Sequence, residues 1–260
     1  MKVSDKIEEL KRQLLDALPD EQAGLHHDIG DLCRVSNDFD RAVEHFNLGI
    51  EAADSCGDYL MLSKCHEGIG GVHWMQGNPQ KACAKFTKAL EYSEKSGNIN
   101  QIGHNNIQIG VTNRNMSQHD KALERFRFAA ELFEKHGLRK GEGKAKGWIG
   151  DVYIDLKQNE KAVDFLLESL EIAEEVGDME QMAVMLNDLG LLHYDLHNYK
   201  YSQSYFTDAL ELYIELNRSF GIADTLNNLG MLKRQEGKLD EALEFYLQSL
   251  EYRKNQVNNH

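Results

Sequence analysis

The chain has 260 residues, with 29 Lys or Arg against 43 Asp or Glu and a formal charge of −14. That balance disfavours a general nucleic-acid binder, whose affinity rests on neutralising phosphates. Only two prolines and a charged fraction of 28% suit a helix-rich folded chain better than a disordered one.

No run of about 18 consecutive apolar residues occurs, so no membrane span is expected. The charged N-terminal stretch has no apolar leader core, which points to a cytoplasmic protein. Four cysteines, Cys33, Cys56, Cys65 and Cys83, are irregularly spaced without a C-x-x-C pair, and reduced thiols are expected.

Residues 1–20 read as an N-terminal capping helix, a half-repeat. Ile7, Leu10, Leu14, Leu15 and Leu18 fall along one side, Ser4 is a candidate N-cap and Pro19-Asp20 ends the helix. Its expected role is to cover the apolar flank of the first full repeat.

Residues 21–260 then read as six repeats of forty residues, about 21–58, 59–98, 99–138, 139–178, 179–218 and 219–255, ending in a short polar tail. An aliphatic-glycine pair marks each one: Ile29-Gly30, Ile69-Gly70, Ile109-Gly110, Ile149-Gly150, Leu189-Gly190 and Leu229-Gly230. Twelve residues after the glycine stands a small residue (Ala42, Ala82, Ala122, Ala162, Ser202, Ala242), and four further a bulky one (Phe46, Phe86, Phe126, Leu166, Phe206, Tyr246). Three beyond that comes a second small residue (Gly49, Ala89, Ala129, Ser169, Ala209, Ser249). Spacings of four and three place these on one helical face, a code for close helix packing.

Turn formers separate the helices at regular positions. Within repeats they are Asn37-Asp38, Gly77-Asn78-Pro79, Ser117-Gln118, Gln158-Asn159, His197-Asn198 and Gly237-Lys238; between repeats they are Gly57, Gly97, Gly137, Gly177 and Asn217. Such a helix pair cannot bury its own apolar face, so the repeats must stack.

With Leu226-Asn227-Asn228-Leu229-Gly230 and Asp240-Glu241-Ala242-Leu243-Glu244-Phe245-Tyr246 as the clearest instance, the code resembles the tetratricopeptide repeat. The likeness is to the forty-residue, long-helix variety found in Pins-type adaptors, kinesin light chains and bacterial peptide-responsive regulators. It implies an all-α, right-handed superhelical solenoid of helix-turn-helix repeats. It also implies a non-enzymatic scaffold that binds a peptide or helical segment in a concave groove lined by the first helix of each repeat.

Carried over position by position, that groove includes Arg34, Lys64, Trp74, Gln108, Arg114, Lys144, Trp148, Asn187, Tyr194, Asn227, Asn228 and Arg234. Amides suit backbone groups, cations suit carboxylates and aromatics suit side chains. For Asn187 and Asn227 a structural hydrogen bond between repeats is the competing reading. The lysine-asparagine pair that grips chaperone C-termini in this family is absent: the matching positions hold pairs such as His27 with Asp31 and Asn187 with Leu191.

Residues 111–146 carry nine basic and five acidic side chains, and 147–220 carry fifteen acids and four bases. The basic middle is the candidate contact for an acidic partner segment, with a solvated charge run as the plainer reading.

Gly137 to Ala145 is glycine- and lysine-rich but lacks the spacing and the terminal Ser or Thr of a phosphate loop. His193 and His197 stand four apart without a third ligand, so no metal and no cofactor is expected. Acids one turn apart, such as Asp151 and Asp155, lack a dry pocket and make poor catalysts.

The last helix, read as Leu239 to Arg253, leaves an apolar end exposed, so that two molecules pair there as a homodimer, a partner domain docks, or the protein continues further. Self-assembly through that helix is one alternative to the scaffold; the other, implied by the resemblance to bacterial peptide-responsive regulators, is a regulator sensing a short peptide.

Overall fold

The computed structural model describes residues 3–257, with the backbone alone at 19, 20 and 255–257. The expected polar tail at 258–260 lies outside the described residues. Those residues form thirteen α-helices and no strand. The chain divides into two compact units, Met1–Gly141 and Glu142–His260.

The first unit contains α1 (Val3–Asp16) and three helical hairpins. These are α2 (Pro19–Val35) with α3 (Phe39–Cys56), α4 (Tyr59–Met75) with α5 (Pro79–Ser96), and α6 (Ile99–Asn115) with α7 (His119–Lys135). The second unit contains most of α8 (Arg139–Asp155) with α9 (Asn159–Val176), then α10 (Met179–Asp195) with α11 (Tyr199–Glu215), and α12 (Ser219–Gln235) with α13 (Leu239–Val257).

The helices stop where they do because each connection from α2 onward holds one residue in the left-handed region. Six of these are glycines, and the others are Asn37, Ser117, Lys157, His197 and Asn217. The α8–α9 break therefore falls on Lys157 (φ 56°), one residue before the expected Gln158-Asn159. Several first-turn amides are capped by the side chain just before the helix: Asp58 accepts from the Met61 N–H at 2.9 Å and Asn98 from the Gln101 N–H at 3.0 Å.

Three boundaries differ from the sequence reading. Helix α1 begins before Ser4 and ends at Asp16, because the residue preceding Pro19 is held extended: Leu18 has φ −70° and ψ 157°. Pro19 opens α2 and so does not close α1. Ile7, Leu10 and Leu14 pack on the Ile29, Cys33 and Phe46 cluster, while Leu15 and Leu18 stay exposed. At the other end, α13 continues past Arg253 to Val257.

The glycine code is a set of ring contacts. A Cβ at Gly30, Gly70, Gly110, Gly190 or Gly230 would stand 2.5–2.7 Å from the nearest ring atom of Phe46, Phe86, Phe126, Phe206 or Tyr246, and one at Gly150 would stand 2.8 Å from Leu166. Those large side chains, most of them fully buried, lie against bare helix backbone and hold each hairpin shut.

The second small position serves polar closure. Ser169 Oγ donates to the Gly143 carbonyl at 2.8 Å and Ser249 Oγ to the Ala223 carbonyl at 2.6 Å, each tying a second helix to its first. Successive hairpins are joined by buried polar bonds as well: Asn105 Nδ2 donates to Ser63 Oγ at 3.0 Å and to Ser93 Oγ at 3.1 Å.

Candidate functional site

In the first unit, α2, α4 and α6 run side by side and border an open-sided cavity of about 230 Å³. Arg34, Lys64, Trp74 and Gln108, expected on the groove from three successive repeats, all line it. His27, Asp31, Glu67, Gly68, Gly71, Met75 and Phe86 complete the wall. Trp74 is half-buried and packs on the Ala82, Phe86 and Ile109 cluster, which fixes its indole as one side of the cavity.

The charges of this wall are ordered. Asp31 Oδ1 accepts from Arg34 Nε at 3.0 Å and from Arg34 Nη2 at 2.9 Å. Glu67 accepts from the Gln101 side-chain amide and meets His104 Nε2 at 3.0 Å. Burial alone would raise the Glu67 carboxyl; the His104 and Gln101 bonds outweigh it and hold it below the usual glutamate range. Gln108 Nε2 lies 3.1 Å from His104 Nε2, extending this chain of side chains along α6.

Glu67 and Gly71 also stand at groove positions by the repeat count, but neither is among the contact residues expected there. A signal for Gly71 is nevertheless present: the residue after the marker glycine is Asp31, Val111, Asp151, Leu191 or Met231 in the other repeats, and glycine only here.

Arg114, also on α6, is half-buried and engages other groups of the chain. The basic middle is largely committed internally. Arg125 Nη1 donates to Asn106 Oδ1 at 3.3 Å, and Arg127, Arg139 and Lys140 each interact within the protein. Lys146 Nζ sits 3.2 Å from the buried Glu142 and 2.8 Å from Glu168. Burial would lower the Lys146 ammonium, but Glu168 and Glu142 outweigh it and raise it.

In the second unit the candidate residues lie on α8, α10 and α12. Asn228 Nδ2 donates to Asn187 Oδ1 at 3.0 Å, and Thr225 Oγ1 reaches the same oxygen at 3.4 Å. The inter-repeat bond thus joins Asn187 to Asn228 and leaves Asn227 exposed. Tyr194 leans on Tyr199 with ring centroids 5.7 Å apart, and Trp148 is half-buried and engaged within the chain. Lys144 and Arg234 are exposed.

The histidines are used in packing. His193 stacks on Tyr205 at 5.4 Å while His197 Nδ1 meets the Tyr199 hydroxyl at 3.0 Å, so the two rings serve different neighbours. His66 stacks on Tyr92 at 5.4 Å, and His26 lies against His45 with Nδ1 atoms 3.1 Å apart. No group of three or more metal-ligating side chains occurs among the described residues. All four cysteines are free; burial, reinforced by Asp31 and Asp58, pushes the Cys65 thiol up to about 12. No helix of the described residues is long and apolar enough to cross a membrane.

Residues 142–215 and 181–255 match the family model described as Tetratricopeptide repeat. No curated protein matches the chain in sequence. Among solved structures, the chain is similar to the apo form of RapI, with a TM-score of 0.75 and 17% identity over 95% of this chain and 89% of that one. It is similar to a Rap protein complexed with Competence and Sporulation Factor, with a TM-score of 0.73 and 17% identity over 98% and 71%. It is also similar to a signal transduction ATPase of Pyrococcus horikoshii with a tetratricopeptide repeat sensor, with a TM-score of 0.78 and 12% identity over 99% of this chain and 41% of that one. At these identities the likeness is one of fold.

Proposed function

We propose that this chain, which matches the tetratricopeptide-repeat family model over residues 142–255 and shares the fold of such proteins, is a non-enzymatic binding module whose first helices hold a peptide or helical segment of a protein partner. The observation that carries the reading is the convergence of Arg34, Lys64, Trp74 and Gln108, from three repeats, on one cavity. The repeating glycines and rings are consumed by packing, whereas these side chains vary between repeats and face open space. A mixed lining of cations, amides and an indole suits an extended peptide better than a small apolar ligand. The neighbour solved with Competence and Sporulation Factor supports the same reading. In the second unit, Lys144, Asn227 and Arg234 are the exposed candidates on the corresponding helices.

The test is selection of random displayed peptides on the full chain, followed by titration of the enriched sequences. Replacing Arg34, Lys64, Gln108, Lys144, Asn227 and Arg234 together by Ala should abolish binding while the thermal midpoint stays near that of the parent. Undiminished binding would sink the groove reading.

A second reading, self-association through α13, is favoured by Leu239, Leu243, Leu247 and Leu250, which are exposed along one helical face. The residues at the position of Leu250 in α5, α7 and α9, namely Leu90, Ala130 and Leu170, are buried. Light scattering that gives a monomer mass at every concentration would remove this reading.

A further inference from the structure

We propose that the cavity between α2, α4 and α6 receives one acidic side chain of the bound peptide, with Lys64 as its counter-charge and Gly71 as its floor. The inference rests on the peptide-binding reading above and adds the chemistry of one of its contacts.

Gly71 is the first observation. Gly30, Gly68, Gly70, Gly103 and Gly110 of the same three helices each lie where a Cβ would stand 2.2–2.7 Å from a phenylalanine ring, so packing demands them. At Gly71 the nearest atom is the Arg34 Cδ, at 3.5 Å, an ordinary contact. The fold therefore tolerates a side chain here, and glycine weakens a helix interior relative to alanine. What the missing side chain does is leave the cavity open beneath Arg34.

The second observation is the distribution of hydrogen-bond donors. Both carboxylates of the wall already have partners: Asp31 takes two N–H groups of Arg34, and Glu67 takes Gln101 and His104. Among the described residues the Arg34 Nη1 has only the Met75 sulfur, at 3.9 Å. Lys64 lines the same cavity, and no carboxylate of the described residues is within ion-pair distance of its ammonium. A half-buried cation with three unused donors beside a second cation with donors to spare attracts a carboxylate. Trp74 and Met75 offer an apolar wall along which the methylene stem of a glutamate can lie.

Random peptides displayed against the full chain test this directly. The wild type should enrich peptides that share an Asp or Glu, and Lys64→Glu should shift enrichment to Lys or Arg at that place. Gly71→Leu, which fills the cavity, should weaken a wild-type-selected peptide by about tenfold or more, with a thermal midpoint no lower than the parent's. Lys64→Glu keeps the test decisive if Gly71→Leu disturbs folding. Enriched peptides without a shared acidic residue would overturn the inference and leave peptide binding standing. So would acidic peptides whose affinity moves less than about twofold with both substitutions. No enrichment at all would overturn the peptide reading, and this one with it.

Discussion

Gly110 lies so close beneath the Phe126 ring that a Cβ on it would stand 2.5 Å from Cε1, whereas the same atom on Gly71 would meet nothing nearer than 3.5 Å. The two glycines occupy adjacent register positions on neighbouring first helices, yet their energetics should have opposite signs. Gly110→Ala forces the ring off its seat and is expected to cost about 1–3 kcal/mol. Gly71→Ala gains helix propensity without a clash and is expected to stabilise by about 0.5–1 kcal/mol. Urea unfolding of both variants checks this; equal losses would mean that ring-to-backbone packing is not what the glycine code encodes.

Phe133 is lodged between Gly103 and Gly141, with would-be Cβ distances of 2.2 and 2.7 Å to its ring. Forty residues earlier the sizes are reversed: buried Ser93 stands at the position of Phe133 and Gln101 at that of Gly141. The pair trades volume between the end of one second helix and the start of the next first helix. Phe133→Ala should cost about 3–5 kcal/mol through the cavity it leaves. Combining Phe133→Ser with Gly141→Gln, which copies the Ser93 and Gln101 arrangement, should cost less than the sum of the single variants by about 0.5–3 kcal/mol. Denaturation of the four-member cycle measures that coupling, and strict additivity would refute the exchange.

The fold was legible because its determinants repeat. Gly30 with Phe46 and its counterparts forty residues on specify one contact several times over, so chance cannot imitate the register. The ends of the chain were less legible, since Leu15 and Leu18 continue the apolar pattern of α1 while the residue ahead of Pro19 is forced out of the helix. On the candidate site, counting positions was enough to bring Arg34, Lys64, Trp74 and Gln108 to successive first helices. Which of their charges are already spent was not legible. Nothing in the spacing shows that Asp31 occupies Arg34 while Lys64 has no carboxylate among the described residues, because those pairings depend on rotamers across helices and within a turn. The basic middle shows the same dependence: its run of cations is legible in the sequence, but the contacts of Arg125 with Asn106 and of Lys146 with Glu142 are not.

Lys157 holds φ at 56° in the α8–α9 turn, where its counterparts Gly77 and Gly237 adopt 73° and 79°. A side chain in the left-handed region costs roughly 1–2 kcal/mol, partly offset in glycine by greater freedom of the unfolded chain. Lys157→Gly is therefore expected to stabilise by about 0.5–1 kcal/mol. The reverse change, Gly177→Ala, has no atom within 4 Å of the added Cβ, so its cost of about 1 kcal/mol would come from the backbone alone. Thermal unfolding of the two variants should move the midpoint in opposite directions.

His66 stacks flat on Tyr92, with ring centroids 5.4 Å apart and planes 5° from parallel, while Lys88 and Lys95 hang over the same phenol ring. Burial first, and then Lys85 and Lys88, push its imidazole down from 6.5 to about 4. A folded-state value below the unfolded one means that the unfolded chain binds more protons between these limits. Stability is then unaffected by His66 above pH 6.5 and is lost as pH falls from there through about 4. His26, His45, His73 and His193 are lowered as well, burial leading in each case, and act in the same direction. The thermal midpoint should therefore be flat near neutrality and decline on acidification. His66→Phe, which keeps an aromatic ring on Tyr92 but cannot be protonated, should make that decline shallower. Parallel curves for variant and parent would show that His66 is not among the groups that titrate.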